Sequence, residues 1–152
     1  MNEEKKLRIS AIREGTVIDH LPSESTFKVV DILNLREHDG IVTVAMNLKS
    51  KALGTKGIVK VGGRELTKKE VDQIAIVAPK ATINIIKDYD VIKKSSVELP
   101  KELDHIIKCS NPNCITNVQK TATLFYVKSR SPLRVLCHHC ERVMESKDIS
   151  LI

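Results

Sequence analysis

The chain has 152 residues, enough for one domain or two small ones, and it carries a formal net charge of +6 at pH 7. This charge indicates an anionic partner, but no basic block concentrates it, so a solvated lysine-rich surface explains it equally well. No apolar run approaches the roughly 20 residues of a membrane helix, and the charged start lacks the apolar segment of a signal peptide. We therefore expect a cytoplasmic chain without a membrane partner.

The chain begins with predicted strand and then helix. Leu7–Ile12 and Thr16–His20 are typical of strands, with a bend between them at a Glu-Gly pair. After a Pro-Ser stop, the apolar residues Phe27, Val30 and Leu33 recur at helical spacing. The pattern predicts a helix that ends near residue 35, with these three residues on its buried face.

A hairpin and a second helix follow. Ile41–Leu48 alternates apolar and polar residues, which predicts a strand, and Gly57–Val61 is predicted to return antiparallel to it. Thr67 and Glu70 have the spacing of a capping box. The apolar residues of Val71–Ala78 then fall on one helical face, so we expect a helix that ends before a proline.

The last extended segments of this part are Ala81–Ile86 and Val91–Lys93. The resulting order of strand, helix, strand, strand, helix and strand is that of a ferredoxin-like βαββαβ sandwich, an α+β fold. An aperiodic stretch that ends at Pro100 is typical of a hinge. We therefore predict one domain over residues 1–100 and a second over residues 101–152.

The second part is predicted to be a small all-β domain of the zinc-ribbon type. Its first residues, Lys101–Ile107, suggest a brief turn of helix. Ala122–Val127 and Leu133–Leu136 are short β-like runs on either side of a proline-containing turn. About fifty residues is close to the size at which a metal or a disulfide has to assist folding.

Four cysteines lie in this part as two short pairs, one before and one after the predicted hairpin. A cytosolic chain keeps its thiols reduced, so paired cysteines favour a structural zinc site over a disulfide or a set of free thiols. The flanking His138 and His139 could replace a cysteine as ligand, but cysteines at both edges of the turn make this unnecessary. The predicted ligands of one zinc ion are Cys109, Cys114, Cys137 and Cys140.

Evidence for catalysis is weak. The chain has no glycine-rich phosphate loop, and Gly62-Gly63 indicates a plain turn. Asp19-His20 could act as an acid/base pair, but neighbouring strand side chains point to opposite faces, which favours a binding site or an exposed turn. Scattered basic residues could converge near one sheet and bind a polyphosphate, or could simply be solvated. They are Lys5, Lys6, Arg8, Arg13, Lys60, Lys93 and Lys94.

Several stretches together resemble the regulatory chain of aspartate carbamoyltransferase. Arg-Glu-Gly-Thr-Val-Ile-Asp-His-Leu-Pro over Arg13–Pro22 is similar to that family's opening signature. Val71–Asn84 is similar to its second helix and following strand, and Cys109-x-x-Asn-x-Cys114-Ile with Cys137-x-x-Cys140-Glu resembles its zinc site. The resemblance extends over nearly the full length, in matching order and spacing.

The resemblance implies a noncatalytic subunit that binds CTP as inhibitor and ATP as activator and controls the catalytic chain of pyrimidine synthesis. It implies phosphate contacts for Lys94 and His20, ribose or base contacts for Lys60, and ribose contacts for Asp19. Ile12 and Tyr89 would frame the base with the main chain near Ile86. The effector-site positions that the resemblance implies are Ala11, Ile12, Val17, Asp19, His20, Lys60, Asn84, Ile86, Tyr89, Val91 and Lys94.

The resemblance also implies partners. The N-terminal domain would form a homodimer, and the zinc domain would dock on the catalytic chain through Asn111, Asn113 and Glu141. Lys6 and Leu7 match positions near a second nucleotide in some family members.

The alternative class is a zinc-ribbon protein that binds nucleic acid. The absence of a basic stripe and an aromatic content of only 3% argue against it, because single-strand binding relies on stacking platforms. A free-standing metalloenzyme would need an open coordination position, which four cysteines do not leave. We therefore expect no nucleic acid among the partners.

Overall fold

A computed structural model describes residues 11–152. The chain divides into two compact units, the first ending at Val97 and the second covering Glu98–Ile152. None of the helices in this described part has the length and apolarity that crossing a membrane requires.

The N-terminal unit is an α+β sandwich of two helices and a five-stranded antiparallel sheet. The strand order is β2-β3-β1-β4-β5, the ferredoxin-like order with one added edge strand. The elements are β1 (Gly15–Leu21), α1 (Thr26–Ile32), β2 (Val42–Ser50), β3 (Gly54–Gly62), α2 (Lys68–Val77), β4 (Thr82–Lys87) and β5 (Asp90–Ser96).

One face of the sheet carries the helices and the core. Thr16 and Ile18 of β1 are fully buried and pair with Val61 and Val59 of β3, so all four lie on this face. Helix α1 contacts β3, and a Cβ atom at Gly57 would collide with the Thr26 side chain. The opposite face, which carries the alternate residues of each strand, is called here the open face.

Both helices form where the sequence predicts them, but the buried face of α1 differs. Val30 and Leu33 are buried, whereas Phe27 is 57% exposed, and Thr26 and Val29 take its place in the core. A helical period of 3.6 residues is compatible with burial of either Phe27 or the pair Thr26 and Val29. The close packing of Thr26 against Gly57 of β3 favours the second arrangement. Helix α2 has its complete capping box, in which the Glu70 amide donates to the Thr67 hydroxyl.

The C-terminal unit is almost entirely β. A four-stranded sheet has the order β10-β9-β8-β6, and β11 pairs with β7. The predicted turn of helix at residues 101–107 is wrong, because Leu103 pairs with Phe125 and both side chains are fully buried. The elements are β6 (Glu102–Asp104), β7 (Ile107–Lys108), α3 (Ile115–Val118), β8 (Leu124–Arg130), β9 (Leu133–Cys137), β10 (Val143–Glu145) and β11 (Ser150–Leu151).

Candidate functional site

The four cysteines converge at one end of the C-terminal unit. Cys109 follows β7, Cys114 precedes α3, Cys137 ends β9, and Cys140 lies in the turn before β10. Their sulfur atoms all lie within 4.8 Å of one another. The structure therefore brings together the four ligands that the sequence predicts, although the two pairs are more than twenty residues apart in the chain.

The loop of the first pair is held by hydrogen bonds that involve three asparagines. The Cys114 amide donates to the Asn111 carbonyl at 3.0 Å, and the Asn113 amide donates to the Asn111 side-chain oxygen at 3.1 Å. The side chain of Asn117 donates to the carbonyls of Cys109 and Asn111 at 2.9 and 2.7 Å. These bonds turn the chain tightly enough to aim two thiols at one point.

The loop of the second pair is a tight turn. The Glu141 amide donates to the Cys137 carbonyl at 3.0 Å, and Glu141 has a φ of +61°. The Cys137 amide in turn donates to the Arg142 carbonyl at 2.9 Å. The turn thus joins β9 to β10 and leaves both thiols on its inner side.

The spacing of the sulfurs matches a tetrahedral thiolate site. Cys109 Sγ lies 3.7 Å from Cys140 Sγ, and Cys114 Sγ lies 3.8 Å from Cys137 Sγ. Zinc–sulfur bonds of about 2.3 Å place the corners of a regular tetrahedron ~3.8 Å apart. A disulfide would instead bring two sulfurs to about 2.05 Å. The donor set and its dimensions therefore fit a metal ion such as zinc.

The thiols differ in their acidity. Burial raises the pKa of Cys109 to about 12, and burial also raises the pKa of Cys137. Burial acts in the same direction on Cys140, but hydrogen bonds from the Arg142 amide and the Asn111 side chain outweigh it and lower its pKa to about 7. A metal ion that binds here must displace protons from the buried thiols.

The two neighbouring histidines have partners outside the cluster, whereas Thr116 contacts one of its sulfurs. His138 Nδ1 lies 2.7 Å from the Tyr126 hydroxyl, and His139 Nε2 lies 3.2 Å from the Ala122 carbonyl. The Thr116 hydroxyl donates to Cys114 Sγ at 3.2 Å. Both histidines thus lie beside the metal cluster, and Thr116 is a supporting residue that the sequence did not single out.

The three docking positions differ in exposure. Asn111 is only 8% exposed and its side chain is engaged within the loop, whereas Asn113 and Glu141 are exposed. Two exposed apolar side chains also belong to the segments that follow the cysteine pairs, Val118 at 64% and Val143 at 56%. A docking role for all three predicted positions stays a prediction.

Several predicted effector residues form one row on the open face. Val17 of β1 pairs with Lys60 of β3 and with Asn84 of β4, and Asn84 pairs with Lys94 of β5. Directly paired residues of antiparallel strands share a face, so all four side chains lie side by side. Lys93 pairs with Ile85 and so lies on the helix-bearing face.

A bulge in β1 brings His20 next to this row. The β1–β3 register shifts between Ile18 and Leu21, and His20 has a φ of +59°. Its Nδ1 therefore lies 3.0 Å from the hydroxyl of Thr82, which is the cross-strand partner of Asp19. The expectation that Asp19 and His20 diverge, which rests on regular strand geometry, is wrong at this bulge.

The Asp19 carboxylate has a partner that sequence reasoning missed. Lys56 Nζ lies 2.9 Å from Asp19 Oδ1, and the two side chains are only about one-fifth exposed. The period of two residues along β3 places Lys56 and Lys60 on the same face, which is the signal that could have identified it. Lys56 adds a second half-buried cation to the open face.

A cavity of about 430 Å³ lies at one end of the sheet. Three predicted effector residues, Ala11, Ile12 and Tyr89, line it together with residues from the start of β2 and the end of β3. Ile86 and Val91 pair with each other next to the β4–β5 turn. Lys6 and Leu7, the positions assigned to a second nucleotide, lie outside the described residues.

The fold and the cysteine cluster define a class of protein. It consists of an α+β unit with a polar open sheet face, followed by a small unit built around a four-thiolate metal centre. Four thiolates complete a tetrahedral sphere and leave no position for a substrate, so the centre is structural rather than catalytic.

Comparison with known proteins identifies the family. The family model for the aspartate carbamoyltransferase regulatory chain, allosteric domain, matches residues 7–98, and that for its metal binding domain matches residues 101–150. An aspartate carbamoyltransferase regulatory chain from Pyrococcus abyssi is 54% identical over 146 residues, which cover 95% of this chain and 96% of the relative. One from Bacteroides fragilis is 44% identical over 153 residues and the full length of both chains.

The chain belongs to the aspartate carbamoyltransferase regulatory chain family. It is a noncatalytic subunit with an allosteric and a metal-binding domain, and its partner is the catalytic subunit of that enzyme. The resemblance found in the sequence is thereby confirmed.

Proposed function

We propose that the N-terminal unit binds CTP and ATP at its open face and that these nucleotides inhibit and activate the catalytic subunit, respectively. The observation that carries the proposal is the row of Lys60, Val17, Asn84 and Lys94 across four strands. Neighbouring strands lie about 4.8 Å apart, so the three steps from Lys60 to Lys94 cover ~14 Å. An extended, highly anionic ligand suits such a row.

The chemistry of the side chains suggests the direction in which the nucleotide lies across the sheet. Lys94, at the exposed β5 edge, and His20 would contact phosphates, because both can donate to anionic oxygens. Lys60 and Asp19 would contact the ribose, and Asp19 would share its carboxylate between the ribose hydroxyls and Lys56. The base would then lie toward Ile12 and Tyr89, which line the cavity at the end of the sheet.

Effector binding would act on catalysis through linkage. A nucleotide shifts the enzyme between two states only as far as it binds one state better than the other. CTP and ATP share their triphosphate and ribose, so their opposite effects must arise at the base. The base end of the site is therefore the part that decides the direction of regulation.

The remaining partners follow from the two units. We assign the metal centre to one structural zinc ion, and the docking surface to Asn113, Glu141 and the exposed side chains beside the metal loops. The N-terminal units would form a homodimer, for which β2, an edge strand of the sheet, is available to pair with a second copy. A metal site made of reduced thiols is consistent with a cytoplasmic location.

Calorimetry on two single variants tests the effector site. Lys94→Ala should weaken CTP and ATP alike, by about tenfold or more, because a charged hydrogen bond to phosphate is lost. The control is Lys93→Ala, which removes the same charge from the adjacent residue on the other face of the sheet. Its affinities should stay within about twofold of the parent. Parental affinities in Lys94→Ala would contradict the proposal.

A further inference from the structure

The sulfur atoms of the metal centre accept hydrogen bonds of two kinds. The sulfurs of Cys109, Cys137 and Cys140 accept from main-chain amides of their own metal loops. Cys114 Sγ accepts from a side-chain hydroxyl, that of Thr116, at 3.2 Å. An amide donor is present whatever the side chain is, whereas a hydroxyl donor depends on the residue at that position. The hydrogen bond to Cys114 can therefore be removed by a single substitution.

The fold holds the Thr116 hydroxyl in place. Thr116 belongs to the short helix α3, which begins directly after Cys114. The amides of Asn117 and Val118 donate to the Cys114 carbonyl at 2.9 and 3.1 Å, so the helix is anchored on the residue whose sulfur the hydroxyl contacts. Thr116 and Cys114 are both buried, so water has little access to the bond between them. A hydrogen bond in such surroundings is stronger than one in water.

The bond matters most when the sulfur is negatively charged. Cysteines bind a metal ion as thiolates, so four negative charges surround a divalent cation that balances only two of them. A hydroxyl that donates to one thiolate disperses part of the excess charge, and hydrogen bonds to ionised acceptors are about twice as strong as neutral ones. The Thr116 donor therefore favours the metal-bound state of the loop.

We propose that Thr116 is a positioning residue of the metal centre, whose hydroxyl orients the Cys114 thiolate and raises the affinity of the site for zinc. Groups that hydrogen-bond to metal ligands contribute about ten- to hundredfold to metal affinity in proteins. A consequence, which rests on the proposed docking role of the metal loops, is that a chain without this hydroxyl needs a higher free zinc concentration to assemble with the catalytic subunit.

The test measures zinc affinity of the full chain by competition with a chelator of known affinity. Thr116→Val keeps the shape and lacks the donor, so we expect its zinc affinity to fall about ten- to hundredfold. Thr116→Ser keeps the hydroxyl and should restore most of the affinity. Thr123→Val is the matched control, because Thr123 is equally buried and its hydroxyl donates at 2.7 Å to the Ile107 carbonyl rather than to a sulfur.

Cobalt(II) in place of zinc gives a spectroscopic measurement that a merely structural role would not change. Its sulfur-to-cobalt charge-transfer band depends on the electron density at the thiolates. Loss of a hydrogen bond raises the energy of the sulfur lone pairs, so the band of Thr116→Val should move to longer wavelength. The bands of Thr116→Ser and Thr123→Val should stay at the parental position.

Three results would overturn the inference: parental zinc affinity in Thr116→Val, a loss of affinity without a shift of the cobalt band, or the same loss and shift in Thr123→Val. If the inference fails while the parent still assembles with the catalytic subunit only when zinc is present, the proposed docking role stands without Thr116. If the parent binds no zinc, the inference and the assignment of the metal centre to zinc both fail.

Discussion

Removal of the metal should separate the two activities of the chain. We expect chelation, or Cys114→Ser, to abolish assembly with the catalytic subunit while CTP binding by the N-terminal unit persists. Cys114 is 1% exposed and Cys137 is fully buried, so no solvent can replace the missing ligand without opening the core. The metal loops and the strands next to them should lose their structure together.

The size of the destabilisation expected on metal removal follows from the geometry of the cysteine cluster. Two thiolates 3.7 Å apart repel each other by about 4 to 5 kcal/mol at an effective dielectric constant of about 20, so the folded cluster requires a cation or protonated thiols. Structural zinc contributes about 10 to 16 kcal/mol of binding free energy, which equals or exceeds the net stability of most domains. A unit of residues 98–152 cannot replace that contribution with its small core.

The assay combines three measurements on the full chain. Size-exclusion chromatography with the catalytic subunit reports assembly, calorimetry reports CTP binding, and circular dichroism reports the loss of β structure. Addition of zinc to the chelated chain should restore assembly. Ser110→Ala, at an exposed position between the first two cysteines, is the matched control and should assemble normally.

Two results would refute this reasoning. Assembly that survives verified removal of the metal would show that the docking surface is stable without it. A simultaneous loss of CTP binding and assembly would show that the two units fold as one, contrary to their division at Val97.

Two further predictions concern single side chains. Thr67→Ala should destabilise the N-terminal unit by about 1 kcal/mol in denaturant titrations, because the α2 capping box is lost. An effect no larger than that of Thr55→Ala, at an exposed position of β3, would contradict the role of the cap. Val118→Asp should weaken assembly with the catalytic subunit at least tenfold without changing the metal content. The reason is that it places a charge where the exposed apolar side chain would be buried against the catalytic subunit. Ser131→Asp, in the β8–β9 turn, is its control, and equal assembly by both variants would exclude Val118 from the interface.

Local features were predicted well because short segments carry their own determinants. The capping box at Thr67 needs only four consecutive residues and formed as expected. The two cysteine pairs predicted a metal site for a similar reason, since each pair is a short turn that orients its own thiols. The error at residues 101–107 shows the limit, because Leu103 belongs to a strand whose partner, Phe125, is twenty-two residues away.

Most residues of the effector row were named from resemblance; the sequence alone related only Lys60 and Lys94, as basic residues that could lie near one sheet. Only the sheet register places Lys60, Asn84 and Lys94 side by side. The bulge that turns His20 toward Thr82 is likewise a property of strand pairing.

The sequence by itself determined the order of helices and strands in most of the N-terminal unit, the helix cap and the chemistry of the metal ligands, since these depend on hydrogen bonds and side chains within a few residues. The tertiary structure decided which face of α1 is buried, which charges meet on the open face, and that Asn111 supports the metal loop from inside. Those outcomes depend on pairings between segments distant in the chain, and local patterns are compatible with more than one such pairing.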